Sequence, residues 1–223
     1  MAVTLLERAR QLGLDPYGVS FHVGSQQTDL LQWDRAIGAV AQMFTLLAET
    51  DINLRMVNIG GGFPAQYRGK IASIERYAQA VTDALTRHFG NHLPEIIVEP
   101  GRSLVGDAGL IQSEVVLISR KSANDPKRWV YLDVGKFNGL AETMGESIRY
   151  RIQVPGRSGP SGPVIIAGPT CDSADILYER TEYRLPLDLE VGDKVEILST
   201  GAYTASYASV GFNGFPPLRT YCL

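Results

Sequence analysis

The sequence predicts an α/β unit built on a parallel sheet over residues 1–105, followed by an antiparallel β domain over residues 106–223. Three observations carry this. Short apolar runs of strand length alternate with amphipathic helical stretches through the first hundred residues. From about Leu104 the helical pattern stops and strand-like runs take over. The ends of three successive runs also carry glycine-rich or ionisable motifs, at the sheet edge where parallel α/β folds, and (β/α)8 barrels above all, place their working residues.

Taking the elements in order, Leu5, Leu6, Ala9 and Leu12 recur at helical spacing, with Gly13 following as a C-terminal cap. Tyr17–His22 reads as a buried strand. Thr28 or Asp29 can cap the next helix, whose buried stripe is expected to be Leu30, Ile37, Val40, Phe44 and Leu47. Arg55–Ile59 is the second strand and runs into Gly60-Gly61-Gly62. Ser73 to about Phe89 is again helical, with Ile74, Tyr77, Val81 and Leu85 on one face. Ile96–Val98 is the third strand, leading into Glu99-Pro100-Gly101-Arg102. Strand–helix alternation at this spacing implies right-handed crossovers between parallel strands.

In the second half, Leu110–Ile118, Trp129–Val134, Val164–Ala167 and Lys194–Leu198 are strand-like, and Pro155–Pro163 is an exposed loop by composition. Three segments between them stand out: Asp133–Thr143, Gly168-Pro169-Thr170-Cys171-Asp172, and Gly201-Ala202-Tyr203-Thr204.

Bulk properties exclude several classes. A formal net charge of −3 leaves no electrostatic footprint for nucleic acid. No apolar run approaches the roughly 18 residues of a membrane span. Two cysteines, Cys171 and Cys222, are too few for a disulfide framework, which points to a reducing, cytoplasmic setting. No cluster has metal-ligand spacing.

Singly, each marked residue has a bland reading. His22 fits a satisfied core histidine, Glu99 and Arg102 a local ion pair, Cys171 a small thiol in a turn, and Tyr203 a half-buried strand aromatic. Three consecutive glycines fit a flexible turn, but without Cβ atoms their N–H groups can also approach an anion closely, helped by a following helix N-terminus. Jointly the residues match one need. A phosphate-bearing aromatic cofactor wants glycine amides and an arginine for its phosphate, a flat side chain over its ring, and a carboxylate at a ring nitrogen. Gly60, Gly61, Gly62, Ser25, Arg102, His22 and Glu99 supply that set, and the cofactor implied is pyridoxal 5′-phosphate (PLP).

Phe21-His22-Val23-Gly24-Ser25, Asn58 to Pro64, Glu99 to Arg102, Gly168 to Ser173 and Gly201 to Thr204 resemble, in order, the fold-type III PLP-dependent decarboxylases of ornithine, lysine, diaminopimelate and arginine. Phe212-Asn213-Gly214-Phe215 is similar to the ornithine decarboxylase ending. The resemblance implies the last three strands of an alanine racemase-like (β/α)8 barrel and then a β domain. It implies that His22 stacks on the cofactor ring and Glu99 pairs with its nitrogen. Ser25, Gly60, Gly61, Gly62, Gly101, Arg102 and Tyr203 would hold the phosphate. Cys171 would deliver a proton after carbon dioxide departs, and Asp172 would receive the substrate's distal ammonium, with Glu142 and Phe212 lining the substrate side. In that family the active sites are shared across a homodimer interface.

Cys171-Asp172-Ser173 resembles the ornithine-type enzymes, whereas diaminopimelate enzymes usually show Cys-Glu-Ser. Glu142 stands one residue before the position where eukaryotic ornithine enzymes carry an aspartate, which resembles bacterial enzymes taking both lysine and ornithine. The family's cofactor-holding lysine sits in a Tyr-Ala-Val-Lys-like context upstream of the histidine motif. None of the five lysines here, Lys70, Lys121, Lys127, Lys136 and Lys194, has that context, and Lys136 is the least implausible substitute. The expectation is therefore the C-terminal portion of a basic amino acid decarboxylase, inactive alone. The alternative is a non-catalytic homologue that binds or regulates a decarboxylase subunit.

Overall fold

The computed structural model describes all 223 residues, which divide into two compact units: residues 1–65 with 71–104, and residues 66–70 with 105–223. In the first unit, α1 (Ala2–Gln11), α2 (Leu31–Ala48) and α3 (Ile74–Phe89) alternate with β1 (Gly18–Ser20), β2 (Met56–Asn58) and β3 (Glu95–Ile97). A one-turn helix, α4 (Arg102–Val105), follows. The strands form a parallel sheet in the order β1-β2-β3.

Alternation along each strand sorts the side chains by face. Val19, Phe21, Val57, Ile59 and Ile96 turn to α2 and α3, where they pack with Trp33, Ile37, Val40, Tyr77, Val81 and Leu85. At roughly 1.5–3 kcal/mol for each large side chain buried, this cluster is the main source of the unit's stability. Phe63, directly after the glycines, stacks on Trp33 at 5.1 Å and meets Tyr77 edge-on at 6.4 Å. The glycine run is thereby pinned from behind by an aromatic plug.

Several expectations need correction. Each strand is only three residues long, because the ladder stops where the working loops begin. The spacing in α1 does not mark a buried stripe: Leu5 and Leu12 are exposed, and only Val3 and Leu6 pack against Leu47, Ile52 and Leu54. Trp33 and Ala84 are fully buried members of α2 and α3, whereas Ile74, at the start of its helix, is exposed. Asp29 does serve the start of α2, its Oδ1 accepting from the Leu31 N–H at 3.0 Å. No helix N-terminus follows the glycines directly, since α3 begins only at Ile74.

The second unit is a six-stranded sheet of β4 (Leu110–Ser119), β5 (Arg128–Leu132), β6 (Ile152–Gln153), β7 (Ser161–Ala167), β8 (Ile176–Pro186) and β9 (Lys194–Leu198), ordered β6-β9-β4-β5-β7-β8. It is not wholly antiparallel, because β5 and β7 pair in parallel. The Pro155–Pro163 loop is shorter than expected, β7 starting at Ser161. The longest strand, β8, escapes a hydropathy reading because its middle, Glu179-Arg180-Thr181-Glu182, is charged and polar.

Side chains of β8 join it to the segment that leads into β6. Tyr178 Oη donates to the Ile148 carbonyl at 2.8 Å and accepts from the Tyr150 N–H at 3.0 Å, while Tyr183 Oη donates to the Tyr150 carbonyl at 2.6 Å. Burial pushes both tyrosine pKa values up and keeps them neutral donors. Residues 66–70 extend the seam: Arg68 N–H donates to the Arg149 carbonyl, and its guanidinium donates to the Glu182 carbonyl over the Tyr183 ring.

Glu146 holds the bend of β8. Burial pushes its carboxyl pKa up, but the Thr181 hydroxyl and the Glu179, Arg180 and Thr181 N–H groups donate to it at 2.7–3.0 Å, and they win, bringing it down to about 2. A carboxyl held this low stabilises the fold fully above the ordinary carboxylate range and loses that contribution as pH falls toward about 2. Glu146→Gln should therefore lower stability by about 1–3 kcal/mol at pH 7. In urea titrations the gap between variant and parent should narrow steadily below about pH 4.

Candidate active site

The register of the parallel sheet builds the site. Ser20, Asn58 and Ile97 are aligned across the three strands. Two residues beyond each, on the face turned away from α2 and α3, stand His22, Gly60 and Glu99. The ladder continues as single bonds past the strand ends: Phe21 N–H to the Asn58 carbonyl (3.0 Å), Ile59 N–H to the Ile97 carbonyl (2.9 Å) and Glu99 N–H to the Gly60 carbonyl (2.8 Å). Gln27 N–H then closes onto the Gly62 carbonyl at 2.9 Å. The three motifs seen in sequence are thus laced into one layer.

The lacing leaves no room for side chains at the glycines. A Cβ on Gly60 would lie 2.2 Å from the Phe21 carbonyl oxygen, on Gly61 2.6 Å from that of Glu99, and on Gly62 2.5 Å from that of Gly24. Gly60 and Gly62 also have φ of +67° and +96°, which L side chains rarely adopt. The Gly60 N–H donates to Asn58 Oδ1 at 2.9 Å, while those of Gly61 and Gly62 donate to no protein acceptor. Two uncommitted amides beside bare backbone suit an anionic group. Ser25 is in the exposed turn between Gly24 and Gln26 that abuts Gly62, and Arg102 is buried.

Asn58 was not singled out in the sequence. Its amide reaches both neighbours, accepting from Gly60 and donating to Glu99 Oε1 at 2.7 Å. It therefore aims the Glu99 carboxylate. The signal was available: a polar residue at the last paired position of a strand, on the same face as Glu99. His22 is exposed, and its Cε1 lies 3.9 Å from where a Cβ on Gly61 would stand, so the imidazole lies against the glycine run.

The remaining marked residues belong to the second unit. Cys171 and Asp172 are exposed, and Cys171 adopts a left-handed backbone with φ of +59°. Asp172 Oδ1 accepts from the Ala174 N–H at 2.8 Å, which orders the turn. Phe212 stacks on Phe137 at 4.2 Å, and Asn213 Nδ2 donates to the Thr170 carbonyl at 2.9 Å, bringing the C-terminal motif to the Cys171 turn. Glu142 lies in a 3-10 segment (Ala141–Glu146), and Tyr203 has φ of +55° and is half exposed. Lys136 is half-buried, and burial lowers its pKa. No helix is long and apolar enough to cross a membrane, and no group of three or more His, Cys, Asp or Glu side chains is placed to hold a metal ion.

Residues 1–106 match the family described as "Pyridoxal-dependent decarboxylase, pyridoxal binding domain". Over that stretch the chain is similar to the pyridoxal-dependent decarboxylases. Among curated relatives, the lysine/ornithine decarboxylase of Selenomonas ruminantium is 31% identical over 215 residues, covering 96% of this chain and 52% of the relative. Antizyme inhibitor 2 of Xenopus laevis is 34% identical, with 95% of this chain and 48% of the relative covered. A solved lysine/ornithine decarboxylase from Vibrio vulnificus, complexed with cadaverine, superposes with a TM-score of 0.87 at 30% identity over 100% of this chain and 59% of that one. A second, a lysine decarboxylase in complex with PLP and cadaverine, gives 0.82 at 29% over 97% and 54%. The chain spans about half the length of the curated relatives it matches.

In this chain the glycine cradle makes a direct demand on backbone. Gly62→Ala should cost about 1–3 kcal/mol of stability from positive φ and the clash with Gly24, measured as a lowered denaturation midpoint. Gly69→Ala, where a Cβ meets nothing within 4 Å, should leave it unchanged within roughly 0.5 kcal/mol.

Proposed function

We propose that this chain carries the cofactor-holding strand ends and the proton-delivery segment of a PLP-dependent decarboxylase of basic amino acids, converting ornithine to putrescine and lysine to cadaverine. The observation that carries the reading is the layer of His22, Gly60–Gly62 and Glu99 with two uncommitted glycine amides. Residues of the first unit fit PLP: the Gly61 and Gly62 amides, Gly101, Ser25 and Arg102 would hold its phosphate, to which the resemblance adds Tyr203, while His22 would cover one ring face and Glu99, aimed by Asn58, would serve the ring nitrogen. When bound, the cofactor supplies an electron sink for the pair left as carbon dioxide departs. The chain's own residues do the rest. Glu99 would keep a proton at the ring nitrogen, Cys171 Sγ would give a proton to the substrate carbon, and Asp172 would take the substrate's distal ammonium, with Glu142 and Phe212 on the substrate side.

In this reading the three-stranded sheet is the last part of an alanine racemase-like (β/α)8 barrel, residues 1–105, and residues 106–223 are its β domain. Cys171 and Asp172 serve the site of a second subunit in a homodimer. The choice of ornithine and lysine over diaminopimelate rests on the single carboxylate of Asp172 after Cys171. A second reading, a regulatory subunit that pairs with a decarboxylase, is favoured by the likeness to antizyme inhibitor 2.

Pyridoxamine 5′-phosphate, which lacks the aldehyde, tests the cradle independently of any lysine. It should bind at least about tenfold more tightly than pyridoxamine, and Arg102→Ala should erase most of that difference. Equal affinities would refute the cradle. The chain incubated with PLP and ornithine or lysine should release no carbon dioxide and yield no borohydride-trapped lysine adduct, whereas turnover would show that one of its own lysines serves. Recovery of a stable heterodimer with a full-length decarboxylase would favour the regulatory reading.

A further inference from the structure

The mechanism above leaves one buried acid without a task. Asp175 is 2% exposed, three residues after Asp172. Its Oδ1 accepts from the Lys136 N–H at 2.7 Å, and its Oδ2 accepts from the Thr170 hydroxyl at 2.7 Å and the Thr170 N–H at 3.2 Å. Its own backbone closes the same turn, the Asp175 N–H donating to the Asp172 carbonyl at 2.9 Å and its carbonyl accepting from Gly168 N–H at 2.7 Å. A Cβ on Gly135 or on Gly168 would stand 2.3 Å from the carboxyl oxygens. Two glycines from separate segments thus make room for this one side chain. Gly135 is fixed in turn by Asn138, whose Oδ1 accepts its N–H at 2.6 Å.

We propose that Asp175 is a positioning residue, which ties the Gly135-Lys136-Phe137 segment to the Thr170-Cys171-Asp172 turn and so sets where the Cys171 thiol points. The inference rests on the reading of Cys171 as proton donor. The physical case is one of donor count. Three donors from two segments converge on one carboxyl group, and Cys171, next to Thr170, is held at φ of +59°, a conformation that persists in a non-glycine residue only when its surroundings fix it. The same clamp places Phe137, and through it Phe212, beside the turn. Nothing in the clamp touches the reacting atoms; it acts through Cys171.

Asparagine is the informative replacement, because its Nδ2 would face a donor where Asp175 presents an acceptor, with almost no change in volume. In Asp175→Asn, hydrogen exchange at the Lys136 and Thr170 amides should accelerate about tenfold. The pH–rate profile for iodoacetamide alkylation of Cys171 should shift, while that of Cys222, exposed and remote in sequence, serves as the internal reference and stays put. Thr170→Ala, which removes one bond, should move both readouts in the same direction by less, and Thr170→Ser should restore them. Circular dichroism confirms that each variant is folded, and if Asp175→Asn does not fold, the Thr170→Ala and Thr170→Ser pair decides. A Cys171 profile unchanged in a folded variant, or a change shared equally by Cys222, overturns the proposal. Alkylation reads geometry without turnover, so the proton-donor reading can fail while this one stands.

Discussion

The shared register of three short parallel strands is the constraint on which the site depends. Because β1, β2 and β3 end in line, residues two positions further on fall into one layer, and single hydrogen bonds hold the three loops there. Backbone meets backbone so closely that only glycine fits at 60, 61 and 62. The close approach costs the chain side-chain packing at three consecutive positions. Phe63 offsets that by stacking on Trp33 in the core between α2 and α3. A cradle with uncommitted amides is thereby fixed from behind by an apolar plug and from the side by neighbouring carbonyls.

The second unit solves a different problem by similar means. The segments around Phe137 and Cys171 are loops, which backbone pairing cannot hold, and buried carboxyl groups take over. Glu146 gathers four donors where β8 bends, and Asp175 gathers three where two loops meet. Each is a buried acid satisfied by backbone and hydroxyl donors, the arrangement in which burying a carboxyl group is affordable. Tyr178 and Tyr183 do the corresponding work along the seam of the sheet.

Much of this was legible in the sequence. The alternation of elements, the strand-end motifs and the glycine run follow from periodicity and residue type, and they place His22, Gly60 and Glu99 on one sheet edge. What was not legible is what the tertiary structure decides. Leu5 and Leu12 have helical spacing but no partner to bury them, because periodicity reports a face and not what covers it. The strand β8 hides behind charged residues on its exposed side, and the parallel pairing of β5 with β7 depends on a crossover that no local pattern encodes. Asn58 and Asp175 lay inside or beside quoted motifs, yet their work is to orient neighbours. Residue type alone does not distinguish that work from a strand-end or turn preference.

The central claim is that the Gly61 and Gly62 amides form an anion cradle held open by the strand lacing. The most direct measurement is a nitrogen–proton correlation spectrum of the isotopically labelled chain titrated with pyridoxamine 5′-phosphate. The account predicts that the Gly61 and Gly62 amide resonances move downfield together and saturate, with Asn58 and Glu99 following. Resonances of both glycines that stay fixed while others shift would contradict it.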